Sequence, residues 1–89
     1  MKAVITVVGK DTLGIVARIS GACFEYGANI VDITQKVMRE YFTMILLVEL
    51  DALCVSFSDF ADKMAQVGQG MGLDVKVMHE DIFNSMHRI

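Results

Sequence analysis

The chain has 89 residues, the size of one small domain, and 54% of them are hydrophobic. Because a small domain has a high ratio of surface to volume, we expect part of its apolar surface to lie in a contact between subunits. The net charge of −3 argues against a nucleic-acid partner or an anionic membrane surface. Charged residues interrupt every apolar run, so no segment is predicted to span a bilayer.

The two cysteines and the first residues bear on the cellular compartment. Cys23 and Cys54 are too few for a disulfide framework, and they lack the spacing of metal ligands. We interpret both as reduced side chains that pack in the protein. The chain passes from Met1 and Lys2 directly into a predicted strand, without a secretory leader. We therefore expect a cytoplasmic protein with no metal and no cofactor.

The first half of the chain is predicted to form a strand, a helix and a hairpin. A β-branched run predicts a strand over Lys2–Val8 that is buried on both faces. Apolar residues at helical spacing then predict a helix over Leu13–Tyr26, ended by a glycine. Strands over Ile30–Met38 and Tyr41–Leu50 follow, and the short connection Arg39-Glu40 joins them in a hairpin.

The second half adds a helix, a strand and a tail. Ser56, with an acidic residue three positions later, resembles a capping box, and the helix that it starts ends near Gly70. Alternating apolar and charged residues predict a partly exposed strand over Leu73–Glu80. The tail Asp81–Ile89 has apolar residues at helical spacing, and it is too short to be stable unless it docks.

The order β-α-β-β-α-β is typical of the α+β, ferredoxin-like sandwich, with two helices on one face of a four-stranded antiparallel sheet. We expect a single domain over residues 1–89, with a core at about residues 2–80 and a short C-terminal helix. Both faces of the third strand are apolar, for example at Leu46 and Leu47. Since the helices cover one face only, a partner subunit or the tail helix must cover the other.

The turn between the first strand and the first helix is the candidate binding site. Gly9 and Gly14 allow the backbone to approach a ligand, and Asp11 or Thr12 can cap the helix. The first N–H groups of a helix lack partners, and the helix dipole adds partial positive charge there. A small anion, such as the carboxylate of an amino acid, suits that position. A capped turn that binds nothing is the alternative.

Other activities found on this fold lack their residues here. A metallochaperone would need a Cys-x-x-Cys in the first loop, which contains no thiol. An RNA-binding module would need basic and aromatic residues along the third strand, which is aliphatic from Met44 to Leu50. His79 and His87 have no nucleophile at matching spacing, so we interpret them as surface or packing residues. We assign no catalytic residue and expect no enzymatic activity.

Two segments carry a resemblance to a known family. Gly9-Lys10-Asp11-Thr12-Leu13-Gly14-Ile15-Val16-Ala17 and Gly27-Ala28-Asn29-Ile30 resemble the ACT domain, a small-molecule-binding regulatory module of amino-acid metabolism. The whole chain is similar to the short stand-alone ACT proteins of bacteria and archaea. Those proteins are in turn similar to the ACT repeats of glycine-cleavage repressor-like regulators. Tyr41-Phe42-Thr43-Met44 and Asp81-Ile82-Phe83 carry the same likeness.

The resemblance implies a domain that pairs with a second copy and binds a small effector, often an amino acid, at the subunit interface. Transferred by position, the ligand-binding residues are Asp11, Thr12, Leu13, Gly14 and Ile15, with Asn29 and Ile30 opposite. The common family form has proline before the loop glycine, whereas this chain has Leu13, which leaves the loop less rigid.

The resulting hypothesis is an amino-acid-sensing regulatory module that forms a homodimer or higher oligomer. With no attached enzyme or DNA-binding domain in the sequence, it would regulate a separate protein in trans. The alternative function is a ligand-free oligomerisation or adaptor domain. Titration with amino acids separates the two.

Overall fold

The computed structural model describes residues 1–86, in which four strands and three helices follow the predicted order. The elements are β1 (Lys2–Lys10), α1 (Ile15–Tyr26), β2 (Asn29–Met38), β3 (Tyr41–Glu49), α2 (Phe57–Gly70), β4 (Leu73–His79) and α3 (Glu80–Met86). β1 continues two residues past its predicted end. α1 begins two residues later than predicted, because the left-handed backbone of Gly14 interrupts the helical conformation. The last three residues of the predicted tail lie outside the described residues.

The sheet is antiparallel throughout, with the strand order β2-β3-β1-β4. β1 pairs with β3 from Lys2 opposite Glu49 to Lys10 opposite Tyr41. Because β1 and β2 both run antiparallel to β3, they are parallel to each other. The end of β1 and the beginning of β2 therefore lie at opposite ends of the sheet, and α1 connects them.

One face of the sheet carries the core, covered by α1 and α2. β1 and β3 contribute alternate residues to it, and the bulkiest buried side chain comes from α2, at Phe60. The buried set comprises Ala3, Ile5, Val7, Ile15, Ile19, Ala22, Cys23, Phe42, Met44, Leu46, Val48, Phe60, Met64, Leu73 and Val75, among others. Val16, predicted to share the buried face of α1, is instead 39% exposed.

The opposite face is covered in part by α3, which contacts β1 and β4. Val4 lies outside the core cluster and opposite Leu47 and Met78, yet it is only 4% exposed. The tail thus supplies part of the second cover, over β1 and β4. Leu46 is fully buried beneath the helices, so of the two adjacent leucines only Leu47 can face a partner on this side.

β2 is an edge strand of ten residues, and all of them except half-buried Ile30 are exposed. Val31 forms an irregularity in its pairing with β3. Exposed apolar side chains lie along it at Val31, Ile33, Val37 and Met38. Among residues 1–86, no helix has the length and apolar character needed to cross a membrane.

Candidate functional site

The loop between β1 and α1, residues 11–14, is held at both ends by backbone hydrogen bonds. At its start, the N–H of Asp11 donates to the carbonyl oxygen of Glu40, at 2.7 Å. At its end, the N–H of Arg18 donates to the carbonyl oxygen of Gly14, at 2.9 Å. Asp11, Thr12, Leu13 and Gly14 are all exposed between these two bonds. The loop is therefore fixed in place and open to solvent.

α1 begins without a side-chain cap. Its N-cap residue is Gly14, with φ 83° and ψ 15°, and no side chain bonds to the first N–H groups. The expectation that Asp11 or Thr12 caps the helix is wrong, because both precede the cap position. No acidic residue lies in the first turn either. The first amides of α1 and the positive end of the helix dipole are therefore left for solvent or a ligand.

Glycine is needed at Gly9 and at Gly14 for different structural reasons. Gly14 has a positive φ, and a Cβ at that position would have no heavy atom within 4 Å. The space above it is open, as a ligand site requires. At Gly9 a Cβ would lie 2.6 Å from Cδ2 of Leu73 and 3.0 Å from the carbonyl oxygen of Gly72. Gly9 therefore serves the close approach of β4.

The predicted loop residues offer mainly backbone groups. Leu13 is 97% exposed, so its side chain projects from the loop with no cover in a single chain. Ile15 is 3% exposed and its side chain belongs to the core, so only its backbone could contact a ligand. A site here would bind an anion through amide N–H groups, with Leu13 at its margin.

Asn29 and Ile30 do not lie beside this loop in one chain. Asn29 pairs with Glu49 and Ile30 with Val48, at the end of the sheet where β1 begins. The 12 residues of α1 separate them from the loop by about 18 Å, at 1.5 Å per residue. Asn29 lines a surface pocket of about 200 Å³ together with Phe24, Gly27 and Ala28.

A second surface pocket, of about 180 Å³, lies where α3 meets the beginning of β1, and it is lined by Met1, Lys2, His79, Glu80 and Asp81. The ring of His79 stacks on Phe57, with ring centroids 4.1 Å apart and planes inclined by 13°. This contact agrees with the interpretation of His79 as a packing residue. His87 lies outside the described residues. Residues 1–86 hold no group of three or more His, Cys, Asp or Glu side chains placed to bind a metal.

The two cysteines occupy different environments. Cys23 is buried in the core, and burial raises the pKa of its thiol to about 11. Cys54 is exposed, which corrects the expectation that both cysteines are packing residues. Its Sγ lies 3.8 Å from the carbonyl oxygen of Glu25. Both thiols are free, and Cys23 is too well protonated to act as a nucleophile at neutral pH.

Sequence reasoning missed the part that the β2–β3 turn plays at this loop. Arg39 and Glu40 were expected only to connect two strands, yet the carbonyl oxygen of Glu40 holds Asp11. The β1–β3 ladder pairs Lys10 with Tyr41. Continuing that register by one residue places Asp11 opposite Glu40. That register depends on tertiary pairing, so the local sequence around the turn carries no signal for it.

Comparison with known proteins agrees with this geometry. The family model of the ACT domain matches residues 2–78, and the chain belongs to the ACT domain family. The match ends before α3, so the helix over the second sheet face lies outside it. ACT domains are generally small-molecule-binding regulatory modules and are not catalytic, and they commonly dimerise.

The chain is similar to short ACT proteins over its full length. It is 46% identical to a UPF0237 protein of Clostridium acetobutylicum over 89 residues, which is all of both chains. An ACT domain protein from Streptococcus pneumoniae has a similar solved structure, with a TM-score of 0.82, 42% identity and 98% of each chain covered. A candidate glycine cleavage system transcriptional repressor matches with a TM-score of 0.70 and 25% identity, over 85% of this chain and 43% of its own. These matches confirm the family resemblance and the ferredoxin-like fold.

Proposed function

We propose that the protein is an amino-acid-sensing regulatory module that binds its effector at the β1–α1 loop. The observation that carries this proposal is the start of α1, where a left-handed Gly14 replaces a capping side chain. The loop in front of it is exposed, and none of its side chains bonds to the first N–H groups of the helix. Backbone N–H groups of Leu13, Gly14 and Ile15 would hold the carboxylate of the effector, with Asp11 and Thr12 beside it.

The sign of the charges assigns a role to Asp11. Its carboxylate would repel the carboxylate of the effector, so it would pair with the ammonium group instead. The helix dipole contributes about 0.3–1 kcal/mol to binding of an anion at an exposed site, and each hydrogen bond adds about 1 kcal/mol. These terms support binding in the micromolar to millimolar range, tighter if a neighbouring subunit excludes water.

Asn29 would come from a second copy of the chain. β2 is an edge strand with nine of its ten residues exposed and its outer side unpaired in a single chain, which makes it a template for an additional strand. If two copies pair antiparallel through β2, the beginning of one strand lies beside the end of the other. Asn29 of the partner subunit would then lie near the Arg39–Glu40 turn and its hydrogen-bonded loop. The homodimer would complete a site that a single chain leaves open.

Charge favours one register for this pairing. Asp32 and Lys36 lie on the same face of β2, two residues either side of Thr34. An antiparallel pair centred on Thr34 places Asp32 opposite Lys36 of the partner subunit, and the symmetric pair repeats the contact. Opposite charges on directly facing residues of neighbouring strands are favourable.

The regulated target would be a separate protein, and the effector would alter how the dimer binds it. The free thiols of Cys23 and Cys54 fit a reducing, cytoplasmic compartment. The competing function is an adaptor domain that assembles through the same edge without an effector. The apolar side chains along β2 would serve that role equally well.

A screen of the twenty amino acids by thermal shift, followed by calorimetry of each positive, tests the proposal. We expect at least one amino acid to raise the melting temperature, with one site per subunit. The esterified form of that amino acid should fail to bind, because it lacks the carboxylate. If no amino acid shifts the dimer, the adaptor function is favoured instead.

A further inference from the structure

The turn between β2 and β3 has an unusual backbone. It consists of two residues, Arg39 and Glu40, between the paired residues Met38 and Tyr41. Arg39 has φ 59°, and it is the one residue other than glycine with a positive φ in residues 1–86. A positive φ matches the twist of a two-residue hairpin, but glycine and asparagine adopt it far more readily than arginine.

This turn also holds the loop between β1 and α1, residues 11–14, by a hydrogen bond. Tyr41 pairs with both Met38 and Lys10, so the turn lies against the end of β1. The bond from the N–H of Asp11 to the carbonyl oxygen of Glu40, at 2.7 Å, adds one further contact beyond the paired ladder. The conformation of Arg39 directs the chain into Glu40, and so determines where this acceptor lies.

Between its bonds at Asp11 and Gly14, the loop crosses open solvent. Thr12 and Leu13 are exposed there, and no side chain caps the helix that follows. A change in the turn would therefore move the amides of Thr12 and Leu13, which lie between the two bonds.

We propose that Arg39 is a positioning residue of the effector site: its left-handed conformation places the carbonyl oxygen of Glu40, which in turn sets the position of the loop amides. The inference rests on the proposed function, because it concerns the same loop. It also connects the edge strand to the site, since β2 runs directly into the turn. A partner that pairs with β2 would shift the loop through this connection, and an effector on the loop would shift the edge.

Two variants separate backbone conformation from side-chain charge. Arg39→Asn and Arg39→Val both remove the guanidinium, but asparagine tolerates a positive φ and valine does not. Amide hydrogen exchange in the full chain, followed by NMR, measures whether the Asp11 N–H stays bonded. We expect exchange of the Asp11 amide about tenfold faster in Arg39→Val than in Arg39→Asn, since valine strains the backbone at a positive φ. Amides at the centre of β1, such as that of Ile5, should be unchanged.

The same variants are titrated with glycine, an amino acid with no side chain, as the probe. We expect the dissociation constant to rise several-fold in Arg39→Val and to stay near the wild-type value in Arg39→Asn. If Arg39→Val does not fold, Arg39→Ala supplies a milder conflict with the same direction of change. Equal Asp11 exchange in all variants overturns the inference, and so does an unchanged dissociation constant when exchange differs. If glycine fails to bind the wild type, the proposed effector site is wrong for glycine, while the exchange comparison still decides whether Arg39 positions the loop.

Discussion

The N–H of Asp11 and the carbonyl oxygen of Glu40, 2.7 Å apart, join the candidate effector loop to the β2–β3 turn. Asp11 thus acts through its backbone, and its side chain does not cap α1. In α2 the opposite holds, because the Oγ of Ser56 accepts a hydrogen bond from the N–H of Asp59 at 3.1 Å. The two helices start in chemically different ways, because a side chain caps α2 and none caps α1.

The first prediction compares these two helix starts. Ser56→Ala should lower the free energy of unfolding by about 1 kcal/mol, because it removes a side-chain cap. Asp11→Ala should change it by less than about 0.5 kcal/mol, as is usual for an exposed side chain without a structural partner. Urea denaturation of both variants measures the difference. Equal losses would mean that Asp11 contributes a cap after all.

A second prediction concerns two glycines within helices. A Cβ on Gly68 would collide with Cγ2 of Val75 and lie 2.9 Å from the carbonyl oxygen of Leu73, so Gly68→Ala should destabilise the protein. At Gly21 a Cβ would meet no heavy atom within 4 Å. Gly21→Ala should therefore stabilise the fold by about 0.5–1 kcal/mol. Thermal unfolding of the pair checks both signs.

The Gly21 result also tests a sequence-based interpretation. A glycine in the middle of α1 would let the helix lie close to the sheet or to another subunit, and among residues 1–86 a Cβ on Gly21 would meet no heavy atom within 4 Å. If Gly21→Ala destabilises the protein, and more so at high concentration, α1 itself lies in the subunit interface.

The third prediction concerns the thiols. Burial raises the pKa of Cys23 from 9.0 to about 11, so the folded state holds this proton more tightly than the unfolded state. Stability from this group is complete below pH 9 and falls as the pH rises from 9 to 11. The expected loss is about 2–3 kcal/mol, at 1.36 kcal/mol per pKa unit.

A matched control is available in the second cysteine. Cys54→Ser should leave the fall in stability between pH 9 and 11 unchanged, whereas Cys23→Ala should remove it. Cys23→Ala should also lower the stability by the same amount at all pH values. Ellman's reagent should modify exposed Cys54 in seconds to minutes and reach Cys23 only through unfolding. Equal reactivity of the two thiols would contradict the burial of Cys23.

Much of the fold was predictable because its signals are local. The alternation of Leu73, Asp74, Val75 and Lys76 gave the buried and exposed faces of β4 correctly, and Asp74 and Lys76 form an exposed ion pair at 3.7 Å. The N-cap at Ser56 was also predictable from the local sequence. The exposure of Val16 and Cys54 was not predictable from the sequence, since it depends on how much of each side chain the neighbouring elements cover.

The candidate site was predictable in part. The glycine-containing turn located the open helix start, but residue types alone could not say which residue occupies the cap position. The separation of Asn29 from the loop follows from the parallel directions of β1 and β2, which only strand order determines. The predicted position of Asn29 opposite the loop can therefore be correct only if Asn29 comes from a second chain.

The fourth prediction tests the edge pairing of β2. Asp32→Lys places like charges opposite each other twice per dimer and should weaken self-association by about 1–3 kcal/mol, or about 5- to 160-fold. The double variant Asp32→Lys, Lys36→Asp restores opposite charges and should recover most of the affinity. Sedimentation velocity at low ionic strength measures both, and the difference should shrink in high salt.

The other sheet face provides the competing outcome. Leu47 is half-buried on the face opposite the helices, and Leu47→Asp should dissociate the protein if that face forms the interface. Dissociation by Leu47→Asp combined with no effect of Asp32→Lys would move the interface from the β2 edge to that face. A wild-type protein that is monomeric at micromolar concentration would contradict both arrangements.

The last prediction concerns Gly14 and Asn29 in effector binding, measured by calorimetry with an amino acid from the thermal-shift screen. Gly14 has φ 83° with open space above it. Gly14→Ala and Gly14→Val both strain this backbone, at a cost of about 1–3 kcal/mol, which a fold of ordinary stability tolerates. Only valine fills the space over the amides, so it should abolish binding while alanine weakens it slightly.

Asn29→Ala should weaken binding by a few-fold to tens of fold, through loss of one hydrogen bond from the partner subunit. Mixed dimers of Gly14→Val and Asn29→Ala chains should retain one intact site, formed by the wild-type loop of one chain and the wild-type Asn29 of the other. Mixed dimers that bind only with the weakened affinity of Asn29→Ala would place both residues of a site in the same chain, and unchanged affinity in all single variants would place the site elsewhere.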